Sequence, residues 1–250
     1  MRQDTLEPGL VHAPRRAAER SARGWSAWSR RLGERAFKAG RGLLVCVAAI
    51  TIASAALMGH AQARTVRLVA LGDSLTAGYG VPAAEAFPVR LEAALKAKGL
   101  DVAVANAGVS GETMSQGLAR LDWSVPEGTD GVIVALGAND MLRGLPPAAT
   151  RAALTEIVTR LKARGIKVLI AGMRASPNLG ADYAGAFDPL FPEVAQQQGV
   201  LLYPFFLDGV AGHPALNQKD GLHPNPEGVA IMVSGILPKV EELLAEIGPR

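Results

Sequence analysis

The chain has 250 residues, 49% of them hydrophobic, and a formal net charge of +3, enough length and apolar content for one α/β-sized core. The charge is split unevenly: residues 1–63 hold ten Lys/Arg against four Asp/Glu, and residues 64–250 hold sixteen against nineteen. The body is therefore mildly acidic and carries no concentrated basic stripe for nucleic acid. Its lack of cysteine excludes disulfides, zinc–thiolate sites and a catalytic thiol there, the sole cysteine being Cys46.

Arg15-Arg16, Arg30-Arg31, Arg35, Lys38 and Arg41 precede an apolar run over 43–58, and Ala61-Gln62-Ala63 follows it. A basic region, a short apolar core and a small-x-small site read as a secretory signal peptide over 1–63, with Arg64 as the first mature residue. The run falls short of the roughly 20 residues of a membrane span. No stable membrane anchor is expected after cleavage, and the mature protein is expected in the periplasm or outside the cell. Val45 is too large for the position before a lipoprotein cysteine, and Leu32-Gly33 fits a twin-arginine signal poorly.

From Arg64 onward, short apolar runs alternate with helical spacing. Strands are predicted at 66–71, 102–105, 132–136, 167–171 and 200–203. The third is continuously apolar and so buried on both faces. Helices are predicted over 88–98, with Val89, Leu91, Ala94 and Leu95 as the apolar face, over 150–164, around 188–198, and from Asn225-Pro226 to near the end. Asn225 reads as N-cap and Pro226 as the first helical residue. Gly235 and Pro238 are expected to bend or interrupt that last helix. Strands alternating with helices predict a parallel sheet of five strands in a three-layer α/β/α sandwich, forming one domain over 64–250.

Four segments carry the chemistry-bearing residues: Gly72-Asp73-Ser74-Leu75, Ser110-Gly111-Glu112-Thr113, Gly137-Ala138-Asn139-Asp140 and Asp220-Gly221-Leu222-His223-Pro224. The first three follow predicted strands, so a parallel sheet opens them onto one edge. A serine there is either a helix cap or a nucleophile. The second role needs a base, and a carboxylate to orient that base. His223 has Asp220 three residues away, within reach across one turn, whereas His213 has no carboxylate at that spacing. Asp73 and Asp140 read as carboxylates that brace loops by accepting backbone N–H bonds, and Glu112 reads as solvated.

Taken in order, these segments resemble the GDSL, or SGNH, hydrolase family over nearly the whole mature chain. The pattern, including Ala77-Gly78-Tyr79 and Leu142-Arg143-Gly144, is nearest to its periplasmic thioesterase, lysophospholipase and arylesterase branch. The resemblance implies a flavodoxin-like topology, a monomer, and neither metal nor cofactor. It implies Ser74 as nucleophile, His223 as base and Asp220 as its partner. It further implies an oxyanion hole from the backbone N–H groups of Ser74 and Gly111 and the Asn139 amide. The loop after Asn139 is expected to line the acyl pocket, with Met141, Leu142, Leu145 and Pro146 touching substrate. The segment Met173–Gly180 follows the fourth strand and is expected, from that position, to border it.

The substrate class so implied is a small acyl ester or thioester. A carbohydrate O-deacetylase and a silent envelope-binding protein on the same scaffold remain as alternatives, though Trp123 is the body's only tryptophan, so no aromatic sugar platform is evident. Other classes fail on the residues. No lysine stands where a phosphate-binding P-loop needs one, no Gly-x-Ser-x-Gly elbow is present, and no His/Asp/Glu cluster has metal-ligand spacing.

Overall fold

Val66–Gly72 forms β1, whose side chains are buried from Leu68 onward, as expected of a strand covered on both faces. The computed structural model describes residues 64–248, within the compact unit Gln62–Arg250; the signal peptide expected at 1–63 lies outside the described residues. Further strands are β2 (Val102–Gly108), β3 (Gly131–Ala135), β4 (Lys167–Ala171) and β5 (Leu201–Tyr203). All pair in parallel in the order β2-β1-β3-β4-β5. This is the flavodoxin-like order, and it reverses direction between β1 and β3, where such sheets keep their sites.

Helices flank both faces. On one, α2 (Phe87–Ala97) packs against α9 (Pro226–Ile247); on the other, α6 (Pro147–Ala163) packs against α3 (Met114–Ala119) and α8 (Leu190–Gln198). Leu154, Ile157, Val158 and Leu161 of α6 are fully buried, as their spacing predicts. Phe87 and Phe206 meet edge to face at 4.8 Å, and Phe187 and Phe191 at 5.6 Å. Each such buried side chain contributes roughly 1.5–3 kcal/mol by its removal from water. Among the described residues, no helix is long and apolar enough to cross a membrane.

Two expectations are corrected and one helix is added. Val89 is exposed, because α2 starts at Phe87 and its buried stripe is Phe87, Pro88, Leu91 and Leu95. The helix expected around 188–198 is α8, and a further short helix that the sequence reading lacked, α7 (Ala181–Phe187), precedes it. Finally, α9 runs uninterrupted through Pro238. Its buried stripe, including Met232, Ile236, Val240 and Leu243, holds the helix on the sheet despite the missing N–H. Gly235 serves packing there: a Cβ at that position would lie 2.4 Å from the Tyr203 hydroxyl.

Candidate active site

The register aligns Gly72 of β1 with Gly108 of β2 and Ala135 of β3, so three strands end at one level. Directly beyond Gly72, Asp73 caps the short helix α1 (Ser74–Ala77) by accepting the Leu75 N–H at 3.0 Å. Ser74 is thus the first residue of a helix, at the carboxyl end of a central strand. The loop after β2 carries Gly111 in the left-handed region at φ 84°, a conformation that favours glycine. It leads into α3, whose N-terminus is a capping box: Thr113 accepts from the Gln116 N–H and the Gln116 side chain accepts from the Thr113 N–H. The short helix α4 (Leu121–Ser124) follows α3, and after β3, Gly137 (φ 113°) turns the chain into α5 (Ala138–Leu142), which presents Asn139.

His223 arrives from the opposite end of the chain. Asp220 Oδ1 accepts the backbone N–H groups of Leu222 (2.9 Å) and His223 (3.0 Å), closing a tight loop. The Asp220 Oδ2 atom stands 2.7 Å from His223 Nδ1, and His223 Nε2 stands 2.9 Å from Ser74 Oγ. Hydroxyl, imidazole and carboxylate therefore form one hydrogen-bonded line. The two backbone N–H groups, followed by the imidazole, hold the Asp220 carboxyl down at about 2, so it is ionised throughout the neutral range.

Asp73 behaves oppositely. Full burial pushes its carboxyl up to about 6, with the Leu75 N–H working against the rise. Its Oδ2 accepts from Asn139 Nδ2 at 3.3 Å, and the same amide nitrogen donates to the Glu112 carbonyl at 3.0 Å. Buried Asp140 accepts the Met114 N–H (2.8 Å) and the Thr150 hydroxyl (3.0 Å). Both carboxylates thus accept backbone N–H bonds. Glu112, expected to be solvated, is instead largely covered and paired with Arg120 Nε at 2.5 Å. Arg120 Nη2 also donates to the carbonyls of Gly72 (3.1 Å) and Ala107 (2.9 Å). One guanidinium therefore ties the ends of β1 and β2 to the Gly111 loop. Arg143 Nη2 donates to the Gly111 carbonyl at 2.7 Å.

A cavity of about 330 Å³ opens above Ser74. Its floor is Ser74, Gly111, Asn139 and His223, and its walls are chiefly apolar, from Leu75, Met141, Leu142, Met173, Leu207 and Leu222, with Tyr79 beside His223. Among the described residues, neither the Ser74 nor the Gly111 N–H has a protein partner. Of the residues expected to touch substrate, Met141 and Leu142 line the cavity. Leu145 and Pro146 do not: the Leu145 carbonyl is engaged by the Tyr183 hydroxyl at 3.0 Å, and Pro146 caps α6. Of the loop after β4, Met173 alone reaches the cavity. Leu207 lines it without any signal in the sequence, because only the folded chain brings its loop to this rim, whereas Ser110 stood in the second motif with no assigned role. Tyr79 had a signal, its place five residues after Ser74, but no assigned role. Among the described residues, no group of three or more His, Cys, Asp or Glu is placed to hold a metal ion.

Residues 70–231 match the GDSL-like lipase/acylhydrolase family model. An arylesterase from Vibrio mimicus is 41% identical over 171 residues, 68% of this chain and 86% of that protein. The thioesterase 1/protease 1/lysophospholipase L1 of Escherichia coli K12 is 36% identical over 178 residues, 71% and 84% respectively. A crystal structure of TesA superposes with a TM-score of 0.69 at 36% identity, covering 71% of this chain and 99% of that one. Fold and relatives together define the class, an ester-hydrolysing α/β/α enzyme. The chain belongs to the GDSL-like lipase/acylhydrolase family.

Proposed function

We propose that the protein is an exported serine esterase that hydrolyses acyl esters and acyl thioesters through an acyl-enzyme on Ser74. The observation that carries this reading is the unbroken line from Ser74 Oγ to His223 to Asp220, at 2.9 and 2.7 Å, on the floor of an apolar cavity.

A serine hydroxyl is a weak nucleophile until a neighbouring base takes its proton. With Nδ1–H donating to ionised Asp220, His223 Nε2 is the acceptor facing Ser74. Ser74 Oγ attacks the acyl carbon as its proton passes to Nε2. The carbonyl oxygen, now negative, takes hydrogen bonds from the Ser74 and Gly111 N–H groups and from Asn139 Nδ2. Each such donor is worth about 3 kcal/mol at the transition state. Asn139 Nδ2 donates to Asp73 Oδ2 and to the Glu112 carbonyl in the free site, and it reaches this role by turning one of these bonds to the oxyanion, a stronger acceptor than a neutral carbonyl. Collapse expels the alcohol or thiol, which leaves with the proton from Nε2. Water, deprotonated by His223, then releases the acid and restores Ser74.

The cavity lies at the small end of the range for ligand pockets and suits short to medium acyl chains against Met141, Leu142 and Met173. Export rests on the basic, apolar and Ala61-Gln62-Ala63 pattern of residues 1–63, with the mature protein acting in the periplasm or beyond as a monomer.

The test is hydrolysis of a p-nitrophenyl ester series of increasing chain length by protein beginning at Arg64, beside Ser74→Ala and with fluorophosphonate labelling. Turnover should peak at short to medium chains, and the variant should lose about 10⁴-fold or more together with the label. Turnover by folded Ser74→Ala at the wild-type rate would overturn the mechanism. A sharp preference for acetate would favour the O-deacetylase.

A further inference from the structure

Arg120 stands at the junction of α3 and α4, and no step of the chemistry above employs it. Four hydrogen bonds nevertheless leave its guanidinium, which has five N–H groups in all. Nε donates to Glu112 Oε2 at 2.5 Å and Nη1 to the Ser124 hydroxyl at 2.8 Å. Nη2 donates to the carbonyls of Ala107 (2.9 Å) and Gly72 (3.1 Å). The Arg120 and Glu112 side chains are only 14% and 16% exposed. A pair so far removed from water is a poor source of stability, because the desolvation of two charges offsets most of their attraction. What the fork does offer is geometry, since a planar guanidinium fixes several acceptors at once.

Those acceptors lie beside the donors of the oxyanion hole. Gly72 ends β1 two residues before Ser74. Residues 109–112 form a tight turn, closed by the Glu112 N–H donating to the Val109 carbonyl at 3.2 Å, with Gly111 at φ 84° as its third residue. This turn sets the direction of the Gly111 N–H, which has no protein partner among the described residues. It is tied at its start by the Val109 N–H, which donates to the Gly72 carbonyl at 3.0 Å, and at its end by the Glu112 carboxylate on Arg120. Glu112 also supplies the carbonyl on which Asn139 Nδ2 rests at 3.0 Å. Strand end, turn and amide thus converge on a single cation.

We propose that Arg120, gripping Glu112, is a positioning residue of the oxyanion hole: it holds the Gly111 N–H and the Asn139 amide where the tetrahedral oxyanion forms, without touching substrate. This rests on the acyl-enzyme reading above. The oxyanion exists only once Ser74 Oγ has bonded to the acyl carbon and the carbonyl π pair has moved to oxygen. Misplaced donors therefore weaken the transition state and leave ground-state binding in the apolar cavity unchanged.

The experiment compares wild type, Arg120→Met, Arg120→Lys and the double variant Arg120→Met/Glu112→Gln on p-nitrophenyl butyrate, each first shown to be folded by circular dichroism. The double variant removes both charges, so no unpaired carboxylate is left under cover. Its kcat and kcat/KM should fall together by about 100-fold with KM unchanged, the mark of an interaction made only in the transition state. Butylboronic acid takes the Ser74 Oγ lone pair on boron as the hydroxyl proton passes to His223, which sets a boronate oxygen in the same hole. Its Ki should rise by a similar factor, while n-pentanol, which fills the cavity without an oxyanion, should inhibit as before. Arg120→Lys keeps a charge opposite Glu112 but offers a point donor in place of a fork, and it should remain slowed by about 10-fold or more.

Wild-type kcat in the folded double variant, or full rescue by lysine, would overturn the proposal. So would equal weakening of boronic acid and alcohol, which marks a general loosening of the cavity. Should both methionine variants fail to fold, the lysine variant decides by the same three readings. Wild-type turnover that survives Ser74→Ala would instead bring down the acyl-enzyme reading itself, a result seen without any change at Arg120.

Discussion

At the scale of single residues, the costliest group in the site is Asp73. Its carboxyl is fully buried and held near 6 by that burial, against 3.8 for an ordinary aspartate. Between those values the unfolded chain has given up a proton that the folded chain keeps, so stability falls as pH rises through about 4 to 6 and the loss is complete above that window. Two pKa units correspond to about 3 kcal/mol. What the carboxylate does in return is positional: it caps the helix that begins with Ser74 and accepts a hydrogen bond from the Asn139 amide. Asp73→Asn removes the titration while leaving an oxygen for the Leu75 N–H. In denaturant unfolding at pH 4 and pH 7.5, the stability of the variant relative to wild type should improve by about 3 kcal/mol between the two conditions. A relative stability that does not change with pH would mean that Asp73 titrates as an exposed carboxyl does. Any constant offset from the new amide cancels in this comparison.

At the scale of elements, the site depends on how closely β2 approaches α1. A Cβ on Gly108 would stand 2.3 Å from the backbone nitrogen of Ala77 and 2.7 Å from its Cα. Those are atoms of the helix that carries Ser74, so relief requires moving the nucleophile. Gly108→Ala should cost about 1–3 kcal/mol of stability through overpacking and about 100-fold in kcat through a displacement near 1 Å. Gly185→Ala, where nothing lies within 4 Å of the added carbon, should leave ester hydrolysis unchanged. Equal activities would detach β2 from the placement of Ser74. Sequence alone could not expose this contact, since Gly108 reads simply as a loop glycine after a strand predicted to end at Ala105. Strand positions were legible because 132–136 and 167–171 are short apolar runs bounded by turn residues. The short helices were not: α1, α5 and α7 span four to seven residues, too few for a period to emerge, and their caps act only in the folded frame. Likewise, the four motifs made Ser74, Asn139 and His223 visible as candidates. The Arg120 clamp on Gly72, Ala107 and Glu112 was invisible, because two of its partners are backbone carbonyls, which carry no side-chain signature.

For the whole molecule, the uneven charge along the chain has a consequence for where the enzyme works. Net charge changes from +6 over residues 1–63 to −3 over residues 64–250. A basic flank before an apolar core favours the orientation in which that flank stays in the cytoplasm, and the acidic remainder carries no comparable block to resist translocation. The body suits either redox compartment: residues 64–250 contain no cysteine, so folding outside the cytoplasm needs no disulfide and risks no wrong one. Arg64 pairs with Asp130 at 2.5 Å, and β1 starts two residues later, so a signal peptidase cutting after Ala63 would leave that pair and the whole of β1 intact. Expression of the full chain in a Gram-negative host should therefore yield Ser74-dependent esterase in the osmotic-shock fraction, with Arg64 as its N-terminus by intact mass and Edman sequencing. Replacing Ala61 and Ala63 by bulky residues should leave a precursor about 6–7 kDa heavier held at the inner membrane, since small residues at those positions are what the peptidase reads. Activity confined to the cytoplasm, or an uncut chain on the membrane in wild type, would overturn the assignment of residues 1–63 as a cleaved address.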